Sequence, residues 1–225
     1  MTSDLEVVVA RCNEALDWTG NVPAGVTVTI YNKGTLLSPS EYPGAINLQN
    51  IGNEPHTYLN HIITRYETLA PVTVFVQGRP FDHAHDLHKV LRGINSGTQK
   101  VESFLWLGFI IDTDDDRGRR LFVPWSKNID GRELDIDGFH IRLFGVEAPE
   151  KIVFRPGGQF IATSETIRRR SIDFYRKALE LAVTFPDAGH CFERLWDRIF
   201  GLTGVEESML QGRETLYLKP IRRLV

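Results

Sequence analysis

The chain has 225 residues, 42% of them apolar and 24% charged, the proportions of an ordinary globular protein and not of a disordered or fibrous one. Its 26 basic and 29 acidic residues leave a net charge of −3, which argues against nucleic-acid binding because that needs a dominant basic field. Two cysteines are too few for a disulfide framework, residues 1–6 lack the pattern of a signal peptide, and no apolar run nears the ~20 residues of a membrane span. The expectation is a cytoplasmic protein with no membrane span, folded as a single α/β domain over residues 1–225.

Residues 7–10 form an unbroken apolar run, which predicts a strand buried on both faces, as in a parallel sheet. Polar Arg11, Asn13 and Glu14 follow at once, with Cys12 read as a small buried hydrophobe. A second strand over 26–31 ends in Asn32, Lys33 and Gly34, and a third over 72–76 ends in Gln77, Gly78 and Arg79. Between them, Leu59, Ile62, Ile63, Tyr66, Leu69 and Ala70 recur at helical spacing, with His61 on the polar face. Asn53 suits the N-cap of this helix and Pro55 its first turn. Strand, crossover helix and strand predict a right-handed parallel unit, so the polar strand ends gather on the edge where open α/β sheets bind ligands.

The apolar run 104–111 reads as a strand or a buried helix, 112–118 as a turn, and 128–138 as a loop. Short strands are expected over 152–154 and 159–162, around Pro156, Gly157 and Gly158. Arg168, Arg169 and Arg170 then open a helix as a solvated face, with Phe174, Tyr175, Ala178, Leu179 and Ala182 inside. A last helix turns Phe192, Leu195, Trp196, Ile199 and Phe200 inward and stops at Gly201.

Several of these residues carry chemistry. Arg11 and Lys33 suit a phosphate, while Asn13 and Glu14 suit a base or ribose; the same residues also suit local capping and turns. Asn32, Gln77 and Arg79 leave the same edge and are expected in the same pocket. Asp82 can orient His83 as a general base, or cap the helix that follows. His83 with Asp86, or His85 with His88, offers a metal pair or a wet helix face. Glu193 is a second candidate base, or the partner of Arg194 in a helix ion pair. Asp112 to Asp116 contains the string Asp-x-Asp, which reads as an exposed turn or as a magnesium site.

The ordered blocks at 7–14, 31–34, 50–52, 58–62, 77–83, 157–160 and 193–196 resemble the uncharacterised domain-of-unknown-function family 3431 over nearly the whole chain. That resemblance implies a fold similar to the GT-A nucleotide-sugar glycosyltransferases: a three-layer α/β/α domain with a mostly parallel sheet. It implies a nucleotide cupped by Arg11, Asn13 and Glu14, and donor or acceptor contacts from His61, Gly158, Gln159 and Phe160. It also implies a divalent cation, magnesium or manganese, held by Asp-x-Asp at the third strand end; this chain departs there, with Gln77, Gly78 and Arg79. Two readings of function follow. One is a glycosyltransferase-like enzyme that takes a nucleotide sugar and an acceptor, with Asp82 or Glu193 as base. The other is a tailoring enzyme or cyclase acting on a small metabolite through metal-independent acid/base chemistry in the same pocket.

Overall fold

A computed structural model describes residues 4–112, 133–202 and 205–218. In chain order its first half runs β1 (Leu5–Arg11), β2 (Thr27–Asn32), β3 (Ile46–Asn47), α1 (Asn53–Arg65), β4 (Val72–Gln77) and α2 (Leu87–Asn95). Then come β5 (Phe104–Trp106), β6 (Ile110–Asp112), α3 (Ile136–Phe144), β7 (Phe160–Thr163) and α4 (Ser164–Ile167). It closes with α5 (Ile172–Thr184), α6 (Ala188–Ile199) and β8 (Thr215–Tyr217).

The fold is mixed α/β on a six-stranded sheet of order β3-β2-β1-β4-β7-β5. The pairs β2–β1 and β1–β4 are parallel, as the three apolar runs predict, and β3, which those runs do not include, is parallel to β2, while β7 is antiparallel to both its neighbours. β6 and β8 form a separate antiparallel ribbon. The central strand is buried on both faces, which is why its sequence does not alternate. Val8 joins a core with Tyr58 of α1, Phe75, Phe160 and Trp196 of α6. Val7 and Val9 point the other way, to Val74, Val76 and the Leu87 and Leu91 side chains of α2. Each such fully buried valine contributes about 1.5–3 kcal/mol.

Register then sets the ligand-facing edge. Arg11 lies opposite Asn32 and Ala10 opposite Gln77, so β1, β2 and β4 end level with one another. Gly34 permits the close approach just beyond: a Cβ there would stand 1.2 Å from the Cys12 carbonyl oxygen. The crossover returns α1 to this same edge, N-terminus first.

Several local expectations change. Asn53 does not cap α1; Gly52, at φ 60°, is the N-cap, and Asn53 is the first helical residue at φ 46°. Of the loop expected over 128–138, residues 128–132 lie outside the described residues and 136–138 open the helix α3, because Ile136, Phe139, His140 and Leu143 recur at helical spacing and Asp135 accepts from the Gly138 N–H at 2.9 Å. The run 104–111 resolves into the two strands β5 and β6. Residues 152–154 are buried without forming a strand beyond one bridge at Phe154. The inward residues expected of α6 are all buried, and Gly201 follows at φ 75°. Arg168 and Arg169 are exposed after α4, whereas Arg170 is drawn in to cap α6, donating to the Ile199 and Arg198 carbonyls at 3.2 Å. Of the acidic string, residues 113–116 lie outside the described residues. Among the described residues no helix is long and apolar enough to cross a membrane.

Candidate functional site

Two adjoining pockets open at the carboxyl ends of β1, β2 and β4. The first, about 300 Å³, lies at the strand ends and is bordered by Arg11, Cys12, Glu14, Lys33, Thr57 and Arg79 among others. The second, about 230 Å³, lies between the start of α1 and α6, bordered by Gly157, Gly158, His190, Glu193 and Trp196. Asn53, Glu54 and Gln77 border both, so the pockets form one cleft with a common wall.

The first pocket has a rigid, charged frame. The Arg11 guanidinium donates to the Glu14 carbonyl at 2.9 Å, to the Thr35 carbonyl at 3.0 Å and to Asn32 Oδ1. The Glu14 carboxylate accepts from the backbone N–H of Cys12 at 2.6 Å and of Asn13 at 3.0 Å, and packs on Gly78, where a Cβ would meet it at 2.5 Å. Lys33 is nearly buried and donates to the carbonyls of Ile51, at 2.6 Å, and Asn53. Burial pulls its amine down to about 8, against the opposing pull of Glu54. Thr57 is fully buried, and its Oγ1 has no hydrogen-bond partner in the protein. Arg79 is the exposed element: its side chain is 70% exposed and stands 3.6 Å from Asp82.

Carboxylates dominate the second pocket, and their surroundings differ. Glu54, in the first turn of α1, accepts from Gln77 Nε2 at 2.9 Å. Burial raises its carboxyl, and the nearby Glu193 and Glu14 charges add to that, while its own backbone hydrogen bond and Lys33 oppose it. Glu193 moves the other way. Burial alone would raise it, but the His190 hydrogen bond, the Arg194 charge and the Gly157 N–H together bring it below the usual carboxylate range. Gly157 and Gly158 hold φ of 106° and 58°, a backbone that other residues rarely adopt, and this turn aims the Gly157 N–H at Glu193.

Of the residues singled out from sequence, Arg11, Glu14, Lys33, Gln77, Arg79 and Asp82 border the first pocket, and Gly158 and Glu193 the second. Arg11 and Lys33 nonetheless hold backbone carbonyls, so they shape the cleft more than they offer free charge. Six others are placed elsewhere. Asn32 is buried, its amide satisfied by Arg11, Thr35 and Asn47. Asn13 is exposed and ties the end of β1 to Thr35, accepting from its N–H at 2.9 Å. Gln159 is buried as a brace between the Gln77 N–H and the Pro80 carbonyl. Phe160 is core, with ring centroids 4.9 Å from Phe75 and 4.7 Å from Trp196.

His61 is the fifth. It faces the sheet and not solvent, 3.6 Å from Glu6 and 3.2 Å from the Tyr31 hydroxyl, and burial pulls it down to about 4. His83 packs behind the cleft against Gly157 and borders neither pocket. Asp82 ends a 3-10 turn and does not cap α2, which starts at Leu87 after Asp86. Cys12 is half-buried at the rim of the first pocket, beyond the strand, and is no core residue.

Sequence reasoning missed Glu54, Thr57, His190 and the pocket face of Trp196. Topology carries the signal for the first two: in a parallel crossover the helix begins at the edge where its strand ends, so the opening turn of α1 belongs to the site. The side chains do not fit a divalent cation. Asp82 is 60% exposed and paired with Arg79, and no group of three or more His, Cys, Asp or Glu comes together among the described residues.

A family profile described as "Protein of unknown function (DUF3431)" matches residues 7–211. No curated protein matches the chain.

Proposed function

Because the chain belongs to the DUF3431 family, whose description assigns no activity, we propose its function from the cleft itself: a glycosyltransferase-like enzyme that binds a nucleotide sugar across the two pockets. One observation carries this reading. A pocket bordered by Arg11, Lys33 and Arg79 together with Glu14, Glu54 and Asp82, and a pocket bordered by Glu54 and Glu193, meet at a shared wall on the carboxyl edge of parallel strands, the edge where open α/β sheets take ligands. The diphosphate lies in the first pocket, met by Arg79 swinging off Asp82 and by the unpartnered Thr57 Oγ1, with the positive end of α1 facing it. The sugar lies in the second, where carboxylates and the amides of Asn53 and Gln77 suit hydroxyl groups and Trp196 supplies an aromatic wall. Glu193, held as an anion, takes the proton of the acceptor hydroxyl. A three-layer arrangement like that of the GT-A transferases belongs to this same reading.

A second reading, acid/base tailoring or cyclisation of a small metabolite without nucleotide, draws on the engagement of Arg11 and Lys33 by backbone carbonyls. A thermal-shift panel separates the two. UDP-glucose, GDP-mannose, the free nucleotides and the free sugars are compared with wild-type protein and Arg79→Ala, since a ligand that binds only the native state raises Tm by mass action. A nucleotide sugar should raise Tm more than either of its parts, and Arg79→Ala should shrink the shift. No shift with any nucleotide sugar or nucleotide overturns the transferase reading and leaves the second.

A further inference from the structure

Resting on that transferase reading, we propose that Glu54 is the proton donor to the departing oxygen, working opposite Glu193 as the proton acceptor. The assignment comes from position. Glu54 belongs to the wall shared by both pockets, whereas Glu193 borders only the second. A donor with its diphosphate in the first pocket and its sugar in the second has its scissile C–O bond at that wall, beside Glu54.

The contacts give each carboxyl a different form. Glu54 Oε1 accepts from Gln77 Nε2 at 2.9 Å, and Gln77 is itself tied down, its backbone N–H donating to Gln159 Oε1 at 3.2 Å. The Glu54 carboxyl also takes a hydrogen bond from its own backbone and borders both pockets. The charged groups facing it are Glu14 and Glu193, which disfavour a further anion, and Lys33, which favours one; burial sides with the carboxylates. Glu193 accepts from the Gly157 N–H and lies 3.6 Å from Arg194 and 3.7 Å from His190 Nδ1, which stabilise its anion. Two carboxyls in one pocket, one pushed up by its surroundings and one held down, are the pairing that acid/base chemistry uses.

The step balances. The bond from the anomeric carbon to the bridging phosphate oxygen breaks, its electron pair stays on that oxygen, and the oxygen takes the Glu54 proton. The acceptor hydroxyl oxygen forms the new bond to the same carbon and gives its proton to Glu193. Glu54 is left a carboxylate and Glu193 a carboxylic acid; one proton returned through solvent restores both, and nothing is oxidised or reduced.

Two measurements test this. Infrared difference spectra need no substrate: near neutral pH, wild type and Glu193→Gln should show a carboxylic-acid C=O band that Glu54→Gln lacks. Turnover of UDP-glucose or GDP-mannose, whichever shifts Tm, should fall about 10²-fold in kcat for Glu54→Gln with calorimetric Kd nearly unchanged, and recover in part in Glu54→Asp. The loss of wild-type rate toward high pH should vanish in Glu54→Gln. A band that survives in Glu54→Gln, or turnover in that variant equal to wild type, overturns the role of Glu54 and leaves the transferase reading standing. Failure of wild type to bind any nucleotide sugar overturns that reading and the donor role with it.

Discussion

The half of the cleft at the ends of β1 and β2 holds its charges fixed, whereas the half between α1 and α6 holds them facing open space. Arg11, Glu14 and Lys33 each bond the backbone, and Gly34 and Gly78 let neighbouring chain segments close on them. Glu54 and Glu193 border the cavity, and their environments push them in opposite directions. Charged residues of similar burial thus do different things. A charge tied to backbone carbonyls or N–H groups sets shape, and one left facing a cavity is available for chemistry.

The sharpest way to break this contrast is Gly34→Ala. Its Cβ would meet the Cys12 carbonyl at 1.2 Å, so the ends of β1 and β2 must part, with a loss of about 4 kcal/mol or more in denaturant unfolding. Glu193→Gln acts on the other half. It keeps an acceptor for the Gly157 N–H but removes the charge beside the buried Arg194, so stability should fall by about 1–3 kcal/mol, while turnover falls about 10²-fold or more.

How much of this was legible in the sequence follows the same division. β1 and β4 announce themselves as apolar runs because both their faces are buried, β2 is buried only toward its carboxyl end, and α5 and α6 show by the spacing of their inward residues. The edge on which the site lies follows from the crossover. Which polar residue at that edge is free to meet a ligand does not, because it depends on register: Arg11 satisfies Asn32 only because β1 and β2 pair them directly. The resemblance puts Phe160 among the site residues, yet as the first residue of β7 it packs into the aromatic core, while Gly158, in the turn before the strand, borders the cavity. His61 sits among polar neighbours on α1, and only the packing of the helix on Glu6 and Tyr31 turns it inward.

Lys33 sharpens the contrast through pH. Its folded pKa of about 8 lies below the ordinary 10.5, so between those values the unfolded chain holds a proton that the native protein lacks. Stability therefore gains a contribution that rises with pH across that window, and Lys33→Met should flatten the rise in melts taken from pH 8 to 10.5. The smallest effect belongs to the exposed Arg79. Arg79→Ala should leave unfolding within about 0.5 kcal/mol of wild type. Its cost should fall on the affinity for a nucleotide, roughly tenfold at low salt and less as salt screens the charge.

Trp196 is 1% exposed, yet it borders the second pocket while its ring stacks on the Phe160 and Phe200 side of the core. One indole thus belongs to both the interior and the ligand wall, close beside Gly158 and one helical turn from Glu193. The protein carries its own optical probe: a molecule seated on the carboxylate wall changes the polarity around that indole, so ultraviolet emission reports occupancy without any label. Trp18, whose indole N–H donates to the Gly78 carbonyl at 2.8 Å on the opposite side of the sheet, supplies a steady background against which that change is read.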